Sequence, residues 1–352
     1  MALAGSAPSP PSPARGVRAW TRARLPQIMV LLFAPAIPEL LTGSTPISNL
    51  FFDPLQFAIS FGFDIGLYGT GALLIREFVV YYRKGWASTL LLGAAYGIAE
   101  EGLAVHTFTQ PGGNPVGLLG SFGHAFGVNW IWALGLTVFH ATYSIALPLL
   151  LVQLWYPAQR EVRWLSRRQV ALTAAIYLAE VGFFGFLAPH GPAPPVLALF
   201  LALCGILIAL AYWVPRDALT LRPGPARIGP WGLMATGSLG FLAWVFVLIS
   251  TGIGGLPAPV TAAIFVAIDV AALALVLTRV GALDAEWSEF YFSTGMLSML
   301  FLWDIPVEFS VPGILLVAAV FAYLQFRLRT ALRARLPPPG APRREAGGAV
   351  PE

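Results

Sequence analysis

Two adjacent glutamates, Glu100 and Glu101, stand inside the apolar stretch LLGAAYGIAEEGLAVHTF, residues 91–108. Carboxylates held side by side away from water rarely both ionise. Such a pair can act as general acid or base, carry a proton, or ligate a metal. His140, in LGLTVFHATYSIALP, is the second candidate. It faces the same choice between chemistry and a hydrogen bond to a neighbouring helix. Asp64, Glu180 and Asp269 are further acids within apolar runs and read as a substrate or proton path. The competing reading gives all these groups a structural role, as hydrogen-bonded clamps between helices.

The elements that must hold them follow from composition. Of 352 residues, 57% are hydrophobic and 11% charged, and mean hydropathy is +0.74. Soluble domains carry about a quarter charged residues, so the chain is expected to be an all-α polytopic transmembrane bundle. A span needs roughly 20 apolar residues. That ruler gives about ten spans, near 26–42, 55–82, 86–108, 128–155, 169–188, 193–214, 231–254, 259–279, 289–306 and 311–329. Basic residues fall in alternate connections: Arg15 to Arg24, Arg76 to Lys84, Arg160 to Arg168, Arg216 to Arg227, Arg279, and Arg327 to Arg344. The positive-inside rule then puts both termini in the cytoplasm. Residues 1–25 read as a disordered cytoplasmic arm, 26–329 as the helical domain, and 330–352 as a disordered tail. The expected setting is the plasma (cytoplasmic) membrane of a prokaryote, with the lipid bilayer as partner.

The basic excess, a net +4, belongs to cytoplasmic loops, and no zinc-finger or RNA-binding signature accompanies it, so nucleic acid is not an expected partner. The PGGNPVG cluster has no P-loop lysine and reads as a turn. No H-E-x-x-H or G-x-S-x-G occurs. Arg76 and Glu77 read as interfacial anchors, His106 as solvated, and His124 and His190 as loop residues.

Depth can be counted at about 1.5 Å per helical residue. Glu100 and Glu101 come out about 10–12 Å below the outer boundary, Glu180 near 12 Å, Asp64 near 14 Å, Asp269 near 15 Å and His140 roughly 18 Å. A polar cluster in the outer half of the bundle is the economical arrangement. Neighbouring helical residues point about 100° apart, so Glu100 and Glu101 are expected to face different helices.

A glutamate pair in one membrane helix with a histidine about forty residues on in another resembles the CPBP family, the type II CAAX prenyl endopeptidase-like intramembrane proteases. The likeness spans residues 95–145. Glu100 and Glu101 match the E-E of E-E-x-x-x-R and His140 the histidine of F-x-x-x-H; Val105 and Leu136 stand at the arginine and phenylalanine positions. The resemblance implies a water-activating glutamate, with His140 helping to bind the oxyanion or, with Glu101, a divalent metal such as zinc. Two other functions fit the same residues. One is a proton- or cation-coupled small-solute transporter, which would need Asp64, Glu180 and Asp269 as much as Glu101. The other is a non-catalytic membrane scaffold.

Overall fold

The computed structural model describes residues 13–110, 121–189, 191–219, 228–250, 255–279 and 285–338. The PGGNPVG loop and His190 lie outside them. The chain is an all-α membrane bundle. Eight helices among the described residues are long and apolar enough to cross a bilayer: Pro54–Tyr81, Trp130–Trp155, Arg167–Leu187, Pro194–Trp213, Pro230–Ile249, Ala258–Leu275, Ala285–Val307 and Ile314–Arg335. Helix also occupies the two remaining expected spans, though neither is among those eight. They are α1 (Pro13–Pro35), which continues as a π-helical segment over Ala36–Leu40, and α5 (Trp86–Ile98), which continues as one over Ala99–Ala104.

The second and fourth spans are compound. Helix α3 (Pro54–Asp64) passes through a π segment, Ile65–Gly69, into α4 (Thr70–Tyr81). Helix α6 (Trp130–Phe139) passes through another, His140–Ala146, into α7 (Leu147–Trp155). The short α2 (Asn49–Phe52) precedes them in the outer loop. Helices α8 (Arg167–Leu187) and α9 (Pro194–Trp213) pack on this group, and α10 (Pro230–Ile249), α11 (Ala258–Arg279), α12 (Ala285–Val307) and α13 (Ile314–Arg335) complete the bundle. Helix enters both terminal stretches read as arms, because the Arg- and Ala-rich sequence next to each apolar run propagates it. A two-residue ribbon, His124–Ala125 against Val128–Asn129, is paired in the outer loop.

Helix α8 starts cleanly because Ser166 and Gln169 form a reciprocal capping box. It buries no residue, and α9 buries only Phe200 and Ala211. Apolar surface on that scale is stable only against hydrocarbon. Contacts between loops sort by face as the positive-inside pattern requires. On one face Arg76 Nη2 donates to the carbonyls of Gln159 at 2.8 Å and Val162 at 2.5 Å. Lys84 Nζ donates to Val214 O at 3.2 Å, and Arg160 pairs with Glu289 at 2.6 Å. Gln27 Nε2 donates to Trp164 O and Arg335 Nη2 to Leu154 O, so α1 and α13 reach this same face.

Arg76 and Glu77 are more than interfacial anchors. Both are buried and pair at 2.6 Å. Arg76 lies 3.4 Å over the Trp164 ring, and Glu77 accepts the Trp164 backbone N–H at 2.9 Å. The loop between α7 and α8 folds back over them and closes water out.

What brings α5 and α6 together is a pair of glycines one helical turn apart. A Cβ on Gly93 would lie 2.8 Å from Ala141 Cα, and one on Gly97 would lie 2.9 Å from His140 Cβ. Small residues at this spacing let membrane helices approach backbone to backbone. The crossing falls one turn before Glu100 and at the start of the π segment that carries His140.

Candidate functional site

His140 stands between the two glutamates. Its Nε2 lies 3.0 Å from Glu101 Oε1, and its Nδ1 lies 3.0 Å from Glu100 Oε2. Nδ1 also hydrogen-bonds Ser144 Oγ at 2.9 Å, one turn along the same segment. Glu100 Oε2 approaches from outside the hydrogen-bonding direction and has no hydrogen-bond partner. Relative exposures of Glu100, Glu101 and His140 are 3%, 8% and 2%, so water competes for none of these contacts.

Four π-helical segments meet at this point. Ala36–Leu40 carries Glu39, Ile65–Gly69 carries Tyr68, Ala99–Ala104 carries both central glutamates, and His140–Ala146 carries His140 and Ser144. A π turn spoils the regular hydrogen-bond ladder and is kept frequently at functional sites. It also corrects the expectation that Glu100 and Glu101 face different helices. The wider turn brings successive side chains nearer in direction, and the histidine ring presents a nitrogen to each carboxylate.

The residues around the centre extend it. Tyr68 and Tyr96 pack their rings 5.9 Å and 6.0 Å from the imidazole. Tyr68 donates its hydroxyl to Glu39 Oε1 at 2.5 Å. Thr45 Oγ1 lies 3.3 Å from Glu39 Oε2 and 2.9 Å from Asp64 Oδ2. Thr107 donates to Glu101 Oε2 and accepts from Trp132 Nε1 at 3.1 Å. A line of polar groups therefore runs from half-buried Asp64 through Thr45 and Glu39 to Tyr68, beside His140. Every arginine ion pair among the described residues lies elsewhere. Carboxylates buried without such a counter-ion are compensated by protons or a bound cation.

Of the six residues expected to matter, Glu100, Glu101 and His140 converge and Asp64 joins them through Thr45. Glu180 and Asp269 do not. Glu180 is half-buried over Gly66, its Oε2 unpartnered. Asp269 faces a separate chamber on the far side of α6 and α7. The depth count put Glu101 and His140 about 8 Å apart; helix crossing and side-chain length close that gap to a hydrogen bond. His106, expected to be solvated, is buried at 4% exposure with a positive φ of 61°.

Glu39, Tyr68, Ser144 and Thr107 escaped sequence reading. Glu39 had the clearest signal, since an acid in an apolar span is functional by default. The Gly93–Gly97 spacing would have pointed to the helix that His140 meets.

The ligand atoms of Glu100, Glu101 and His140 all lie within 4.8 Å of one another. Two carboxylates and an imidazole suit zinc or a similar divalent ion, and the orphaned Glu100 oxygen is a buried acceptor that a cation would satisfy. The donor set fits a metal on those grounds. Fold and site together define an integral membrane helical protein with a buried Glu–His–Glu centre. No family model, no curated protein and no solved structure matches the chain.

Proposed function

We propose that the chain is an intramembrane hydrolase, peptidase-like in its chemistry, acting on a membrane-embedded or lipid-linked substrate in the cytoplasmic membrane of a prokaryote. The observation that carries this reading is the compact Glu100–His140–Glu101 unit with four π segments built around it. In the reaction, Glu101 takes a proton from water as the water oxygen adds to the scissile carbonyl carbon. His140 hydrogen-bonds the oxygen that becomes negative. The proton then passes to the leaving nitrogen as the C–N bond breaks, giving a carboxylic acid and an amine. Ser144 orients the ring through Nδ1, and the Glu100 carboxylate beside it favours positive charge on the imidazole. A divalent ion held by Glu101 and His140 would polarise the carbonyl. The resemblance to the CPBP proteases over residues 95–145 supports the same chemistry.

A second reading, a proton- or cation-coupled transporter, is favoured by the Asp64–Thr45–Glu39–Tyr68 line. Proteoliposomes separate the two. The hydrolase reading expects cleavage of a membrane-span peptide pool, lost in both Glu101→Gln and His140→Ala. Gradient-driven uptake of solutes, lost in Asp64→Asn and retained in His140→Ala with no cleavage by wild type, overturns it.

A further inference from the structure

A chamber of about 1010 Å³ lies between α5, the α6–α7 span and α10–α12. It is separate from the Glu–His–Glu centre: Phe139, Ala141, Thr142 and Tyr143 line it, while His140 between them points the other way. Its walls are apolar, with Leu90, Leu150, Leu233 and Phe292 among them. Close-packed protein leaves few voids larger than a water molecule, so a space of this size is a site that a ligand can enter rather than a packing defect.

The charge at its mouth and the apolar walls say what kind of ligand fits. Arg83, Lys84, Arg160 and Arg216 stand at the mouth, on the face that the positive-inside pattern makes cytoplasmic. Arg160 is matched by Glu289 and Arg216 by Glu161. Arg83 and Lys84 have no carboxylate partner among the described residues, so the mouth keeps a positive excess. Deep in the chamber, Tyr143 Oη, Trp244 Nε1 and Asp269 Oδ2 have no hydrogen-bond partner, and Tyr143 is 2% exposed. Buried polar atoms of this kind are normally hydrogen-bonded, and water beyond the end of an aliphatic chain reaches these three. Asp269 is ten residues from Arg279 at the inner end of α11, roughly 15 Å along the helix and about half of a ~30 Å hydrocarbon core. The chamber thus has the depth of one leaflet, apolar walls, and a cationic rim at headgroup level.

We propose that this chamber binds a long-chain phosphate ester of the inner leaflet, with its aliphatic chain between α7 and α10 and its phosphate at Arg83 and Lys84. A diacylglycerol phosphate and a polyprenyl phosphate both supply that chemistry. The proposal does not depend on the hydrolase reading, because the chamber and the glutamates lie on opposite faces of one helix.

The test is native mass spectrometry of the delipidated full chain, titrated separately with phosphatidic acid, a polyprenyl phosphate, phosphatidylcholine and inorganic phosphate. One phosphate ester is retained per chain, at least tenfold more tightly than phosphatidylcholine, and the tighter of the two esters identifies the source. Charge removal in Arg83→Gln with Lys84→Gln weakens retention on the order of tenfold to thirtyfold. Leu273→Trp, which enlarges a lining side chain of α11, abolishes retention while the circular dichroism spectrum stays that of wild type. Glu101→Gln retains the lipid as wild type does. No retention by wild type, equal retention of phosphatidylcholine, displacement by millimolar inorganic phosphate, or full retention in a folded Leu273→Trp variant each overturns the proposal.

Discussion

Gly97→Ala tests how the centre is held together. The new methyl would sit 2.9 Å from His140 Cβ and 3.3 Å from Thr137 Cα. Carbon atoms settle at about 3.5–4.0 Å, so α6 must retreat by roughly 0.6–1 Å. The His140 Nε2 to Glu101 Oε1 contact, now 3.0 Å, then opens to about 3.6–4.0 Å, beyond a hydrogen bond. Overpacking costs about 1–3 kcal/mol and the lost charge-assisted bond about 1.5–3 kcal/mol, offset by about 1 kcal/mol of helix propensity. The net destabilisation is roughly 1.5–5 kcal/mol. The assay puts cysteines at Glu101 and His140 in a Cys204→Ala background and joins them with a short bifunctional thiol reagent. Crosslinking is rapid with Gly97 and several-fold slower with alanine there. The otherwise wild-type Gly97→Ala chain unfolds at a lower denaturant concentration. Equal crosslinking rates and equal midpoints would refute the claim that close approach at Gly97 sets the site.

Other consequences concern the faces and ends of the bundle. Arg76→Met leaves buried Glu77 with Arg163, 3.6 Å away, as its one remaining cation among the described residues, and should destabilise the chain by about 3–5 kcal/mol in a denaturant titration, whereas a change below about 1 kcal/mol would make the pair a surface ornament. Glu308, in the loop between α12 and α13, accepts the backbone N–H groups of Gly313 and Leu315, which hold its carboxyl below the usual value of 4.5. Its folded-state value being depressed, the stability it contributes is full above pH 4.5 and is lost as pH falls through the depressed value; Glu308→Gln should therefore flatten the acid limb of the melting profile, and unchanged acid sensitivity would contradict this. A cysteine at Asn114 should label from outside intact cells and one at Ser166 should not; labelling at Ser166 would invert or break the topology.

The helical class and the positions of the helices were legible because they rest on composition and run length, which are local. The pairing of Glu101 with His140 was legible only as approximate depth. Depth along two helices says nothing of rotation, and here rotation is set by π turns that no α-helical count anticipates. Glu180 and Asp269 share the depth of the cluster but face away from it, one over Gly66 and the other into the chamber. The fold-back of the Arg160–Arg168 loop onto Arg76 and Glu77 was hidden too. An Arg–Glu pair near a span end looks the same in sequence whether it snorkels to water or is roofed over by a distant tryptophan.

Hydrolysis at the Glu–His–Glu centre is tested most directly by isotope. Wild-type and Glu101→Gln protein in liposomes would be incubated with a pool of membrane-span peptides and lipopeptides in water enriched in oxygen-18. New carboxyl termini would then be examined by mass spectrometry. Hydrolysis at this centre gives termini carrying one heavy oxygen from wild type and none from Glu101→Gln. Termini that appear equally with both proteins, or no cleavage by wild type across the pool, would contradict it.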